Sequence, residues 1–309
     1  MNLVVTGATG LIGSALVARL LERGDAVTAL TRDPDRAKLT LAGATLVRAD
    51  LETAGAWGDS LVRADSVVHL AGQSIAGRRW DARYKQLIRD SRVESTRMIV
   101  EAIGKLAEDQ RPRALICASG ADYYPFAVAP LDDDEVTEAD RPSDSFLGRL
   151  CRDCEREARA AEALGVRVVR MRTGLVLGPG GALAKMTTPF KLFAGGRIGN
   201  GKQWVSWIHL ADAVAGYVAA IDDARYTGPV NLVAGSIRGK ELAAALGHAL
   251  HRPSWLPVPG FALRAAVGEL AEYLLEGRNI VPAKLRALGF SFSHSELGEA
   301  VASALSSSR

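Results

Sequence analysis

Cysteine is scarce in this chain, three residues in 309, and an odd number does not close a disulfide framework. An excess of one charge is also missing: 38 basic residues stand against 35 acidic ones, for a net charge of +3. The basic residues are scattered among acidic ones and form no stripe, which argues against nucleic acid as a partner. No apolar run reaches the roughly 18 residues that a membrane-spanning helix needs, so no membrane partner is expected. The opening MNLVVTGATGLIG has neither a basic n-region nor a cleavage site; no signal peptide is expected, and the expected location is cytoplasmic. His69, His209, His248, His251 and His294 are dispersed, without metal-ligand spacing, so no metal site is expected. What remains is an ordinary globular composition, 48% apolar and 24% charged, long enough for one large domain or one with a small appendage.

Short β-branched runs alternate with helical patterns. Leu3–Thr6, Ala26–Arg32, Ala44–Arg48, Ser66–Ala71, Ala114–Ser119 and Val166–Arg172 read as strands, nearly continuous in apolar residues, as parallel strands covered on both faces are. Leu11–Arg23, Ala82–Leu106 and Phe146–Leu164 read as the helices between them. The alternation predicts an α/β fold with a doubly wound parallel sheet. Beyond the sixth strand the pattern loosens. GLVLGPGGALAKM (174–186) reads as a glycine-rich loop, Val205–His209 as a strand, Leu210–Ile221 as a helix and Val230–Ala234 as a strand. RPSWLPVP (252–259) reads as extended, and the tail as broken helical segments.

The first strand runs into Thr6-Gly7-Ala8-Thr9-Gly10-Leu11-Ile12-Gly13. Gly7 permits a sharp exit from the strand, Gly10 close approach of backbone to a diphosphate, and Gly13 tight packing of helix on strand. A helix opening there offers free N–H groups to phosphate. The motif therefore predicts a Rossmann-type dinucleotide site including Gly7, Thr9, Gly10, Leu11, Ile12 and Gly13. The second strand ends Leu30-Thr31-Arg32-Asp33. Thr31 stands where a ribose-binding acid is usual, and Arg32, with Arg36, is placed to grip a 2′-phosphate, so NADP(H) is expected over NAD(H). Asp50 and Leu51 after the third strand suit the adenine, although a turn-forming Asp looks the same. Leu70, Ala71 and Gly72 end the fourth strand with little bulk toward the far ribose, and Arg172 ends the sixth beside the cofactor.

TGATGLIG, the VVHLAG strand and residues 115–124 together resemble the extended short-chain dehydrogenase/reductase superfamily, which includes NAD(P)-dependent sugar-nucleotide epimerases and dehydratases. AGQSIAGRRW (71–80), CASGADYY (117–124), RTGLVLGPGGALAKM (172–186), GNGKQWVSWIHLAD (199–212) and ALGHALHRPSWLPVP (245–259) resemble more closely an "epimerase family" subgroup from bacteria. That subgroup carries a short C-terminal domain of unknown function, which matches roughly residues 250–300 here. The expected organisation is an NADP-binding Rossmann domain over 1–172, with 199–235 returning to it, and a substrate-side and C-terminal lobe over 173–309.

The resemblance implies a catalytic Asn, Ser, Tyr and Lys. Ser119 stands at the serine. The asparagine falls near Arg92. Alignment on Glu155 puts Leu147 at the tyrosine and Cys151 at the lysine; alignment on the aromatic puts Phe146 and Leu150 there. Neither register supplies a phenol or an ammonium, so the superfamily's proton donor is lost. Tyr123 and Tyr124 are the candidates to replace it, or they only line the wall; Arg92 is placed to hold an oxyanion or carboxylate. Cys151-Arg152-Asp153-Cys154 is a C-x-x-C inside a helix, where inert thiols are expected. Arg78, Arg79, Lys185 and Lys191 are either a positive rim for an anionic substrate or ordinary surface charge. Two functions stay open: an epimerase-like NADP(H)-dependent oxidoreductase on a small molecule, and a non-catalytic NADP(H)-binding regulatory or redox-sensing protein.

Overall fold

The computed structural model describes residues 1–126 and 133–306. Its centre is a seven-stranded sheet in the order β10-β7-β5-β4-β1-β2-β3. The strands are β1 (Asn2–Thr6), β2 (Ala26–Thr31), β3 (Thr45–Arg48), β4 (Ser66–His69), β5 (Ala114–Gly120), β7 (Arg167–Thr173) and β10 (Gly228–Leu232), with β6 (Glu135–Val136), β8 (Leu175–Leu177) and β9 (Trp204–His209) lying outside it. Every neighbouring pair in the large sheet is parallel. The strand order reverses between β1 and β4, and the crevice at such a point is where open α/β sheets take ligands.

Burial explains why the strands lack alternation. Leu3 and Val5 enter one core with Leu16, Val17 and Leu20 of helix α1 (Leu11–Glu22), while Val4 enters the opposite core with Ile99 and Ile103. Helix α2 (Pro34–Ala37) is a short turn after β2, and α3 (Ala82–Gly104) and α4 (Phe146–Arg159) cover the second face. The expected strands and helices before residue 173 are all present, with ends displaced by at most a few residues. The predicted helix to Leu164 finishes its last five residues as a 3-10 turn stopped by Gly165 at φ 79°.

The glycine-rich stretch after β7 departs from its reading as a loop. It forms β8 and then α5 (Gly181–Lys191), because Leu175–Leu177 finds a parallel partner in β9. β9 in turn pairs antiparallel with β11 (Gly235–Arg238), so the predicted strand at 205–209 belongs to a separate three-stranded sheet. α6 (Leu210–Asp222) packs back on the first core through Val214, Tyr217 and Ile221, and α7 (Gly239–Leu250) packs on α5 and the small sheet through Leu242 and Leu246. The C-terminal segment comprises α8 (Gly260–Val267), α9 (Leu270–Leu275), β12 (Asn279–Ile280), α10 (Ala283–Ala287) and α11 (Leu297–Ser306). β12 pairs with β6, and Asp212 of α6 accepts the Ser293 and His294 N–H groups at 2.8 and 3.0 Å. No helix among the described residues is long and apolar enough to cross a membrane.

Candidate active site

The turn after β1 has the geometry its glycines imply. Gly7 has φ 63°, and a Cβ there would lie 2.5 Å from the Leu70 carbonyl carbon. A Cβ at Gly13 would lie 2.2 Å from the Gly7 carbonyl oxygen, so helix and turn touch backbone to backbone. Gly10 caps α1 with no side-chain hydrogen bond, and no acid occupies the first turn. The N-terminus of α1 is therefore open to an anion. Thr9 and Gly10 are exposed, while Leu11 and Ile12 are half-buried. Ile12 packs on the core, and Leu11 lies under the start of α5, within 3.1 Å of a Cβ built on Gly181. The residues present fit a diphosphate: glycines let the turn lie against Leu70 and α1 backbone to backbone, and the N–H groups that open α1 have no side-chain cap.

The far edge of the turn is held by a buried relay. Thr6 Oγ1 accepts the N–H groups of Leu70 and Ala71, each at 3.2 Å, and lies 2.7 Å from His69 Nδ1. With both lone pairs used, the Thr6 hydroxyl donates to His69 Nδ1, leaving the His69 Nε2 proton for Ser95 Oγ at 3.2 Å. Burial, then the Arg92 charge, lowers the His69 pKa to about 4, so this imidazole is neutral and positional.

At the end of β2, Arg32 and Arg36 are exposed, and no carboxylate pairs with either among the described residues. Thr31 Oγ1 accepts the Asp33 N–H, and Asp33 caps α2. Arg48, at the end of β3, donates to the Arg32 carbonyl at 2.9 Å, which brings a third guanidinium to the same edge. Asp50 accepts the Glu52 N–H at 3.2 Å, the turn-forming role its residue type also allows, and Leu51 packs against the second core.

Beyond the crevice a cavity of about 910 Å³ opens from Leu70, Ala71 and Ala118–Asp122 toward the C-terminal lobe. Its walls are mainly apolar: Ile75, Leu147 and Leu150 on one side, Met186, Phe190 and Leu246 on another, and Leu263, Val267 and Leu270 across from them. Arg92 reaches in from α3. Its Nη1 donates to the Gln73 carbonyl at 2.8 Å, its guanidinium lies 2.8 Å from where a Cβ on Gly72 would stand, and no carboxylate pairs with it among the described residues. A bulkier residue at Gly72 would displace it.

Ser119 also lines the cavity, but its hydroxyl donates to Glu155 Oε1 at 2.8 Å. Glu155 is 5% exposed and is gripped by Arg172 through two 2.8 Å bonds. Arg172 then donates to the Tyr124 hydroxyl at 2.8 Å, and Tyr124 donates to Asn231 Oδ1 at 2.6 Å. Asn231 Nδ2 reaches the Val281 carbonyl at 3.0 Å. One buried polar chain thus ties β5, α4, β7, β10 and the C-terminal segment.

This chain occupies two of the expected site residues. Arg172 is 2% exposed and spends its donors on Glu155 and Tyr124, so it faces neither the crevice nor the cavity. Tyr124 borders the cavity, yet its proton is committed to Asn231 and burial pushes its pKa up to about 12. Tyr123 lies outside the cavity wall with its ring against the Arg172 guanidinium, 3.4 Å from the centroid. On α4, Leu147 and Cys151 both face the cavity, where the Glu155 alignment sets tyrosine and lysine; Phe146 does not. Cys117 and Cys151 are buried and pushed up to about 12 by that burial, and Cys154 is raised by the same cause. These thiols are unreactive.

Two cavity residues carry chemistry that the motifs did not single out. Asp122 stands in the turn after β5, and Tyr273 comes in from α9 to accept the Leu147 N–H at 3.0 Å. The signal for Asp122 was its place three residues after Ser119; nothing in the order of the chain marks Tyr273.

A parallel sheet reversing at β1 and β4, a glycine cradle at that point and a lined cavity beyond it define a dinucleotide-binding α/β protein. The sequence profile of the NAD dependent epimerase/dehydratase family matches residues 3–233, and that of a domain of unknown function, DUF1731, matches 258–304. The chain belongs to the NAD dependent epimerase/dehydratase family. It is 37% identical over 304 residues to the chloroplastic SDR39U1 homolog of Arabidopsis thaliana, covering 97% of this chain and 86% of that one. It is 35% identical over 298 residues to the Bacillus subtilis epimerase family protein YfhF, covering 96% and 95%. Among solved structures, human epimerase family protein SDR39U1, determined with NADPH, superposes with a TM-score of 0.85 at 32% identity, over 99% of both chains.

Proposed function

We propose that the protein is an NADP(H)-dependent oxidoreductase of the epimerase family that acts on a small molecule with an apolar body and one polar end. The cofactor preference is supported by the edge formed by Arg32, Arg36 and Arg48, where Thr31 stands at the position of the usual ribose-binding acid, Asp33 is engaged in capping α2, and guanidinium groups are offered to a 2′-phosphate. The NADPH in the human relative agrees with it. Gly7, Thr9, Gly10 and Gly13 would hold the diphosphate, and Leu70 and Ala71 the inner ribose. When bound, the cofactor supplies or accepts a hydride.

The observation that carries the reading is the cavity itself. It is continuous with the strand ends, large enough for a drug-sized ligand, and walled by aliphatic and aromatic side chains with Arg92 at its inner end. An apolar body suits the walls, and a carbonyl oxygen or carboxylate suits Arg92. Arg78, Arg79 and Lys185 also border it. In this proposal residues 1–172 and 199–235 bind cofactor while 173–198 and the C-terminal segment close over substrate.

Titration with NADPH and NADH, followed by turnover of menadione, cinnamaldehyde and nitrobenzaldehyde, tests the reading. Tighter NADPH binding and NADPH oxidation with any of the three support it. Preferred NADH binding rejects the cofactor assignment. Leu147 and Cys151 at the tyrosine and lysine positions favour the second reading, a cofactor-binding protein without turnover, and tight NADPH binding with no oxidation across the panel would point there.

A further inference from the structure

The cavity has lost the superfamily's phenol and ammonium, but it has not lost every group able to move a proton. Its titratable lining, apart from the exposed Arg78, Arg79, Lys185 and Glu276 and the partly buried Arg278, is His69, Arg92, Asp122, Tyr124, Cys151, Cys154 and, from the C-terminal lobe, Tyr273. Most are disqualified by their partners. His69 has both ring nitrogens engaged, by Thr6 and Ser95. Tyr124 gives its proton to Asn231. The thiols are protonated and buried, and a guanidinium does not give up its proton.

Asp122 differs. It follows Ser119 by three residues in the 3-10 turn Ala121–Tyr123 and borders the cavity partly buried. The only hydrogen bond that bears on its charge comes from its own backbone N–H, and no cation among the described residues offsets its burial. A Cβ built on Gly120 would stand 3.4 Å from Cys151 Sγ and 3.6 Å from Asp122 Oδ2. Carboxyl and thiol thus overlook the same face of Gly120, and Cys151 holds the lysine position. The groups that act on Asp122 from the packed elements are Cys151 on α4 and Tyr273 on α9, and burial pushes the Asp122 carboxyl up to about 6.

Tyr273 completes the arrangement. Its hydroxyl accepts the Leu147 N–H in the first turn of α4, at the position that the Glu155 alignment gives to tyrosine. Trp80 and Phe126 hold the ring at centroid distances of 5.6 and 5.3 Å. Burial raises its pKa, Ser145 and Leu147 oppose that through hydrogen bonds, and the charge of Asp122 adds to the rise. The phenol and the carboxyl line the same cavity.

We propose that Asp122 is the proton-transferring residue of this site and that Tyr273, contributed by the C-terminal lobe, is its positioning residue. The proposal rests on the oxidoreductase reading above. In carbonyl reduction the Asp122 carboxyl gives its proton to the substrate oxygen while the carbonyl carbon takes the hydride from NADPH and the C=O π bond opens. Alcohol and NADP⁺ result, and the Asp122 carboxylate recovers a proton from solvent. Alcohol oxidation runs the same transfers in reverse, with the carboxylate as base.

Two measurements decide it. Carboxyl-carbon NMR of the full-length ligand-free protein, assigned with Asp122→Asn, reads the titration directly: a midpoint near 6 is expected, and Tyr273→Phe moves it toward the ordinary aspartate value by removing the acceptor of the Leu147 N–H and loosening that wall of the cavity. A midpoint in the ordinary aspartate range overturns the proposal. With whichever probe carbonyl the wild type reduces, kcat falls as pH rises through that midpoint. Asp122→Asn lowers kcat by about a hundredfold or more and abolishes that limb, with NADPH Kd unchanged. Asp122→Asn with kcat within about threefold of wild type overturns the proposal and leaves the oxidoreductase reading intact. A wild type that binds NADPH and reduces none of the probes overturns both.

Discussion

The two ends of the cleft are built on opposite principles. The glycine turn and the arginine edge present backbone and charges held in solvent. Arg32, Arg36, Thr9 and Gly10 are exposed, and what must be exact is the absence of side chains at Gly7 and Gly13. The inner end recognises with buried groups that are nearly all committed. Ser119, Glu155, Arg172, Tyr124 and Asn231 are satisfied by one another, and Asp122 and Arg92 are left facing the cavity. The difference teaches where function can be altered cheaply. A charge in water is tuned by replacing it, whereas a buried chain resists replacement because each member desolvates the next.

The largest effect expected from breaking this contrast lies in the buried chain. Glu155→Ala leaves Arg172 buried without its carboxylate, and a loss of about 3–5 kcal/mol is expected in urea unfolding. If the loss is no greater than that of an exposed carboxylate such as Glu22, the chain is not the structural tie described. Next comes Gly13→Ala at the open end. With the new Cβ 2.2 Å from the Gly7 oxygen, backbone must shift, at a cost toward the upper end of roughly 1–3 kcal/mol. NADPH fluorescence should show binding abolished in the same variant.

Acid titration separates His69 from Asp122 by sign. Burial holds His69 neutral down to about 4 from 6.5. Its contribution is therefore present above pH 6.5 and lost as pH falls toward 4, on the order of 3 kcal/mol in all. Asp122 acts the other way. Its folded carboxyl keeps its proton to about 6 against 3.8 unfolded, so stability is lost as pH rises through that window. The two slopes offset each other in the wild type. Asp122→Asn removes one, and the variant should gain stability steadily from about pH 4 to 6.5 and exceed the wild type near neutrality by about 1–3 kcal/mol. Thermal melts across pH would show it; a variant less stable than wild type at neutrality contradicts the unpartnered burial of Asp122. The smallest effect is at the exposed edge. Arg32→Ala should weaken NADPH by about tenfold, near 1.4 kcal/mol, and leave NADH unchanged, as fluorescence titration would register.

Much of the first end was legible in residue order. A glycine at each third position after a strand has a local meaning, and Gly7, Gly10 and Gly13 act within seven residues of chain. The loss of the tyrosine and lysine was legible too, because it is a matter of which residues stand on one helix. The partners of Arg172 were not legible. An arginine at the end of a strand reads as pointing out, and only Glu155, reached across two elements, turns it into the core. The reading of 174–186 as a loop failed because Leu175–Leu177 becomes a strand only when β9 lies beside it.

By itself the sequence determined the doubly wound sheet, the phosphate-binding turn and the absence of the usual proton donor, since each depends on neighbours in the chain and on a period of apolar residues. Tertiary structure alone decided which polar groups are spent and which are available. It handed the Tyr124 proton to Asn231, brought Tyr273 to the Leu147 N–H across 126 residues, and left Asp122 partly buried without a cation. The reason is physical: a side chain's chemistry is set by its partners and its solvent, and both are fixed only when distant segments pack.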